Sequence, residues 1–212
     1  MYLFMIEYPK STQGKNVAAS DQIKWDRKYT ENPRLLAQRD PSRDLALHLP
    51  LAPVKTALDV ACGVGRNALH LAKNGFEVDA VDISAVALQE LTQHLEKITD
   101  LEQIHTELVD LDAYTPPRDR YGLIIMANYL DRRLIPALGK ALVKNGILII
   151  DTYLHDEANG KPATHPDFLL QPNELPSLFD ERDYEVIHYR EYWSEGVEPY
   201  RMRKGSITVR RR

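Results

Sequence analysis

The stretch ALDVACGVGRNALHLAKNG, residues 57–75, concentrates the side chains best suited to hold a ligand. Gly63, Gly65 and Ala68 fit the pattern G-x-G-x-x-G/A, and the acidic Asp82 stands nineteen positions beyond Gly63. Glycines in such a loop let the backbone turn tightly and approach a ligand with no Cβ in the way. A carboxylate ending the next strand can accept two hydrogen bonds from the hydroxyls of a ribose. Nucleotide sites of several kinds share both features. Asp59 separates them, because it puts a carboxylate inside an otherwise apolar strand.

In a dinucleotide site the helix after this strand faces a pyrophosphate, which a second negative charge would repel. A carboxylate suits a ligand that is cationic at that end. S-adenosylmethionine (SAM) has that form, with an amino-acid tail, a sulfonium, a ribose and no phosphate. The glycine pattern taken alone still fits NAD.

These groups need a scaffold, and apolar runs alternate with helical periods in the manner of an α/β sheet with crossover helices. KTALDVA (55–61) reads as a buried strand, RNALHLAKN (66–74) as a helix stopped by Gly75, and FEVDAVD (76–82) as the second strand. Ser84 serves as N-cap to a helix whose Leu88, Leu91, Leu95 and Ile98 share one face. IHTELVDL (104–111) and YGLIIMAN (121–128) read as the third and fourth strands. A helix over 133–144 has Pro136 in its first turn, and NGILIIDTY (145–153), opened by an Asn-Gly turn, is the fifth strand. Ligands of such sheets lie beyond the carboxyl ends of the strands, which singles out Asp59, Asp82, Asp110, and Asn128 with Tyr129.

Two short amphipathic helices, DQIKWDRKYTEN and RDLALHLPL, precede the first strand. After residue 153 the alternation fails in a proline-rich connection with a brief helix near 173–180; this connection is expected to act as a lid or substrate loop. YEVIHYREYW and YRMRKGSITVR, joined by SEGVEP, predict an antiparallel hairpin at the sheet edge. The 212 residues favour a single domain: 1–54 as a helical cap, 55–153 as a cofactor-binding core, and 154–212 as lid-like loop and hairpin.

Composition narrows the partners. With 43% hydrophobic and 27% charged residues the chain reads as a soluble globular protein, and no apolar run approaches the roughly 18 residues of a membrane span. MYLFMIEYPK lacks a basic start and is apolar for only six residues, so no secretory leader is expected and the expected location is cytoplasmic. Cys62 is the sole cysteine, and the seven histidines form no helix-spaced pair with a third ligand, so no metal site is expected. A net charge of -4 offers no general attraction to nucleic acid, and the basic RMRKGSITVRRR reads as a solvated end.

LDVACGVGRNALHLAKNGFEVDAVDIS followed by VDL resembles the nucleotide half of class I SAM-dependent methyltransferases. CGVGRN…LAKNGFEVDAVD is similar in particular to the tellurite-resistance protein B (TehB-like) group, over roughly residues 21–153. The resemblance implies a Rossmann-like, doubly wound sheet of seven strands, mostly parallel with an antiparallel strand in the C-terminal hairpin. It implies SAM as cofactor, released as S-adenosylhomocysteine (SAH). On that resemblance Asp59 is the acid ending the first motif, and Ala61, Cys62, Gly63 and Gly65 form the loop around the methionine part. Asp82 takes the ribose, Ile83 lies beside adenine, Asp110 meets the adenine amino group, and Leu111 supplies a backbone contact. Asn128 and Tyr129 form the floor, Trp25 and Tyr29 cap the cofactor, and Arg66 steadies the loop or reaches the SAM carboxylate.

ANYLDRR after the fourth strand differs from the Asn/Asp-Pro-Pro-Tyr/Phe pattern that holds planar nitrogens, so a small-molecule acceptor is expected. Tyr129, Tyr153, His155, Arg190, Arg201 and Arg203 are candidates for its pocket, and paired arginines suit an anion. A thiolate or chalcogen oxyanion would need no general base. An NAD-dependent oxidoreductase and a non-enzymatic SAM-binding module are the alternatives.

Overall fold

In the computed structural model, which describes residues 17–97, 103–160, 165–194 and 201–212, two helices precede the sheet, α1 (Val17–Glu31) and α2 (Arg43–His48). The expected alternation follows as β1 (Thr56–Val60), α3 (Arg66–Lys73), β2 (Glu77–Asp82), α4 (Ala85–Leu95), β3 (Ile104–Leu108) and β4 (Tyr121–Ala127). It continues through α5 (Ile135–Ala141), β5 (Leu142–Tyr153), α6 (Glu174–Ser177), β6 (Tyr184–Trp193) and β7 (Arg203–Arg211). The seven strands form one sheet in the order β3-β2-β1-β4-β5-β7-β6. β1 to β5 run parallel, and β7 is antiparallel to both β5 and β6. The hairpin therefore does lie at the edge, with β6 outermost and β7 inserted beside β5.

Side chains alternate between two apolar layers. Leu58, Val60, Ile124 and Ile150 face α5 and α6 through Ile135, Leu138 and Leu175. Ala57, Leu123, Ile125 and Ile149 face α2, α3 and α4 through Leu45, Leu69, Leu71 and Leu91. Because helices cover both faces, β4 is buried at all seven positions, which is why it reads as an unbroken apolar run. The chain moves outward from β1 to β3, then returns to β4 on the other side of β1. That reversal opens a crevice beyond the ends of β1 and β4.

Three boundaries differ from the sequence reading. The fifth helix stops at Ala141, because Leu142 already pairs with Tyr121 of β4 and the strand captures residues read as helix. Asn145 and Gly146 consequently lie inside β5, where the register jumps from Tyr121/Leu142 to Leu123/Ile147, and Asn145 takes φ 64°. They form a bulge, not the opening turn. The third strand ends at Leu108, leaving Asp110 in a turn where its own side chain accepts the Asp112 N–H at 3.0 Å. Pro136 does sit in the first turn of α5, and Ser84 does cap α4 by accepting the Ala87 N–H at 3.2 Å. Ile98, most of the SEGVEP turn and the first sixteen residues lie outside the described residues.

The connection expected to act as a lid is anchored where it is described. Leu169 and Leu170 are buried, the Leu170 N–H donates to Tyr153 O at 2.9 Å, and the His155 N–H donates to Leu170 O at 2.8 Å. Arg132 forms an ion pair with Glu174 and donates to the carbonyls of Asp167 (2.6 Å) and Leu169 (2.8 Å).

Gly122 in β4 meets the chain before β1 so closely that a Cβ would lie 2.2 Å from the Val54 carbonyl oxygen, a backbone atom. Gly122→Ala is expected to destabilise the fold by about 1–3 kcal/mol. Thermal unfolding should register this as a fall of several degrees in Tm.

Candidate active site

The loop from β1 to α3 is shaped by its backbone. Ala61, Gly63 and Gly65 all take positive φ (54°, 56° and 77°), which turns the chain sharply at the strand end. At Ala61 this conformation costs energy that surrounding contacts must offset. Asn128, at the end of neighbouring β4, has φ 58°. Both strand ends at the crevice are thus held in the left-handed region.

Two buried carboxylates hold this loop in place. Asp59, 1% exposed, accepts the Ala68 N–H at 3.0 Å in the first turn of α3. Asp82 accepts the Gly63 N–H at 2.7 Å through one oxygen and the Ser84 N–H at 2.8 Å through the other. Neither carboxylate forms an ion pair among the described residues. Burial pushes the Asp59 carboxyl up to about 7, against the lowering pull of the Ala68 N–H and the Arg66 guanidinium. Burial also raises Asp82, partly offset by the Ser84 and Gly63 N–H groups. Cys62 is buried, and burial followed by the charges of Asp59 and Asp82 raises its thiol well above the ordinary range. Such an environment favours the neutral thiol over the nucleophilic thiolate.

α1 covers the loop. A Cβ on Gly63 would lie 2.7 Å from the Tyr29 hydroxyl, so a side chain there would displace the end of the Tyr29 ring. Burial, then the Asp82 charge, pushes the Tyr29 phenol up. Trp25 lies beside it with ring centroids 6.2 Å apart. Asp26 accepts the Ser84 hydroxyl at 2.7 Å and the Val86 N–H at 3.2 Å, docking α1 on the N-terminus of α4. Nothing local in the sequence marks a helical aspartate such as Asp26 as the cap of a different helix.

Of the remaining cofactor residues, Ile83 and Asp110 are half-buried and Leu111 is buried. Arg66 extends toward the Asp40 carbonyl at 3.4 Å.

The other side of the mouth is a buried polar network. Asp151, at the end of β5, accepts Lys204 Nζ (2.8 Å) and the Tyr192 hydroxyl (2.8 Å) on Oδ1, and the Ser42 hydroxyl (3.1 Å) on Oδ2. Lys204 also donates to Asn128 Oδ1 at 2.9 Å. Ser42 in turn donates its N–H to Asn67 Oδ1 at 2.9 Å, and the Asn67 side chain helps to hold the Asp59 charge. Although burial acts to raise it, the Lys204 ammonium and the three donors hold Asp151 below the usual carboxylate range. Asp151 had a sequence signal, a polar residue closing an apolar strand, and Lys204 had none beyond a basic segment.

The candidate pocket residues meet different fates. Arg190 is engaged by buried Asp44 through two contacts of 3.1 Å and lies 4.0 Å over the Tyr192 ring. Arg203 faces Glu191 at 3.8 Å and, with Arg201, the Trp193 ring. Tyr129 is half-buried, its phenol pushed up by burial and then by Asp131 and Asp112. The Tyr153 ring lies 5.5 Å from Lys204 Nζ, whereas His155 is exposed. A cavity of about 700 Å³ between α6 and β6, lined by Phe179, Tyr184 and Arg212, lies near the start of β5, away from this mouth. Among the described residues no cluster of His, Cys, Asp and Glu could hold a metal ion, and no helix is long and apolar enough to cross a membrane.

Residues 46–196 match the family described as "Tellurite resistance protein TehB", a span that starts later than the resemblance in the sequence and reaches into the hairpin. Curated relatives named "Probable S-adenosyl-L-methionine-dependent methyltransferase TehB" from two Haemophilus influenzae strains are each 28% identical over 154 residues, covering 68% of this chain and 51% of theirs. The chain therefore spans about half the length of these relatives. The crystal structure of TehB from Haemophilus influenzae superposes with TM-score 0.63 at 22% identity, covering 80% of this chain and 62% of that one. A Burkholderia thailandensis 1,6-didemethyltoxoflavin-N1-methyltransferase, solved with its substrate and SAH, gives TM-score 0.65 at 14% identity, covering 97% and 93%. These likenesses establish a Rossmann-like methyltransferase fold.

The two states of Asp59 provide a test of the loop. Folding raises this carboxyl from the ordinary value of about 3.9 to about 7. Its protonated form therefore favours the fold below about pH 4, and that contribution is lost as pH rises through 7. Asp59→Asn mimics the protonated form. Between pH 5 and 8 its stability relative to wild type, from urea unfolding, is expected to improve by on the order of a few kcal/mol. A difference that does not change with pH would refute the raised value.

Proposed function

The chain belongs to the tellurite resistance protein TehB family, and from that premise we propose that it is a SAM-dependent methyltransferase acting on a small molecule, with an anionic, thiol or chalcogen-oxyanion nucleophile. One observation carries the cofactor assignment. The first turn of α3, where a dinucleotide would place its pyrophosphate, already holds the Asp59 carboxylate, and Asp82 adds a second acid, neither of them ion-paired among the described residues. Such a mouth disfavours phosphate and suits a cationic sulfonium with an ammonium tail.

The residues present fit that group. Ala61, Cys62, Gly63 and Gly65 would surround the methionine part, where the positive φ of Gly63 favours a residue with no side chain. Asp82 uses one lone pair on each oxygen for a backbone N–H, leaving others to accept ribose hydroxyls. Ile83, Asp110 and Leu111 would line the adenine, and Trp25 and Tyr29 would cover it. Bound SAM supplies a methyl group already activated on a sulfonium. The chain's own task is to orient the two reactants and exclude water, an effect worth up to about 7–11 kcal/mol. α1, docked through Asp26, and the segment anchored by Arg132 are placed to form two walls of that enclosure.

Thermal denaturation with ligands tests this reading. SAH at about 100 times its Kd should add roughly 2.7 kcal/mol of stability, and NAD should add none. Asp82→Ala should weaken SAH at least tenfold, on the order of 1.4 kcal/mol, without unfolding the domain. Stabilisation by NAD alone would replace the methyltransferase with an oxidoreductase. Labelled SAM offered with thiols, selenite, tellurite and small acids should yield a methylated product, and tight SAH binding with no transfer to any of them would favour a SAM-binding module.

A further inference from the structure

Lys204 is the one buried lysine among the described residues, 7% exposed, and it lies at the crevice. It starts on β7, two strands from β4 and hence about 10 Å away, and reaches back across β5 to Asn128. Asn128 is exposed and follows Ala127, which pairs with Asp151; Val60 of β1 pairs with Met126 of β4. The lysine ammonium therefore sits at the level of the β1 loop, on the side where α2 and α3 cover the sheet.

Its hydrogen bonding is incomplete. An ammonium has three donors, of which Asp151 takes one and Asn128 another. Asp151, by contrast, is supplied by Lys204, Tyr192 and Ser42 together. The carboxylate is well solvated by the protein, and the ammonium has a donor to spare. Burying such a pair gives little stability, because desolvation offsets the attraction. The neighbouring cations Arg190 and Arg203 each face a carboxylate of their own.

We propose that Lys204 is an anion-recognition residue of this crevice, its third N–H taking a carboxylate or oxyanion oxygen of a bound ligand beside Asn128. The inference rests on the methyltransferase reading, which allows two sources for that anion: the amino-acid tail of the cofactor or the acceptor itself. Tyr192 and Ser42 act through Asp151 as positioning residues, fixing the carboxylate that aims the ammonium.

Calorimetric titration of the full chain separates the sources. The probes are SAH, 5′-methylthioadenosine, which lacks the amino-acid tail, and inorganic sulfate added to SAH-saturated protein. Lys204→Met is expected to lose about 10- to 100-fold in affinity for one anionic probe, and Lys204→Arg to regain most of it. Loss for SAH with 5′-methylthioadenosine unchanged assigns the lysine to the cofactor carboxylate. Loss of sulfate binding with SAH unchanged assigns it to the acceptor. Where the single variant is destabilised, Lys204→Met with Asp151→Asn removes both buried charges and takes its place. Unchanged affinity for all three probes, or equal weakening of SAH and 5′-methylthioadenosine, overturns the inference. Wild-type protein that binds no SAH overturns the functional reading instead.

Discussion

The hydrogen bond from the Ala68 N–H to the Asp59 carboxylate governs the arrangement of the site. A helix N-terminus attracts an anion, and here the protein supplies one from its own central strand. That contact fixes α3 against β1, sets where the glycine loop turns, and fills the position a phosphate would need. It also places Asn67 beside the buried acid, and through Asn67 and Ser42 a chain of polar contacts runs to Asp151 and Lys204. The elevation of the Asp59 carboxyl to about 7 measures how far burial works against the charge in this position.

The crevice is electrostatically divided as a result. Around β1 and β2 the acids Asp59, Asp82 and Asp26 are satisfied by backbone N–H groups and a hydroxyl. Around β5, β6 and β7 each acid is matched to a cation, as Asp151 to Lys204, Asp44 to Arg190 and Glu191 to Arg203. Two flanking segments are pinned to the same frame, α1 by Asp26 and residues 165–174 by Arg132.

How legible each feature was depends on how local its cause is. β1 and β4 were readable because burial on both faces imposes an apolar run that a single window reveals. Asp59 and Asp82 were readable because a carboxylate inside or ending such a run violates that pattern. The end of α5 was not, since Leu142 is claimed by Tyr121 of a neighbouring strand, a partner twenty-one positions away. Arg190 had the composition of an anion-binding residue, but the burial of Asp44 from a distant helix assigns it elsewhere.

The sequence by itself determined the α/β class and marked the strand ends that carry acids, because these follow from periodicity and from charged residues breaking it. Only the tertiary structure decided which groups those residues meet. It turned Asp26 into the latch of α1, put Lys204 against Asn128 across β5, and anchored through Arg132 a segment that composition had marked as a lid. Each of these depends on a contact between residues dozens of positions apart, and such pairings are set by how strands order and layers pack, which no local pattern encodes.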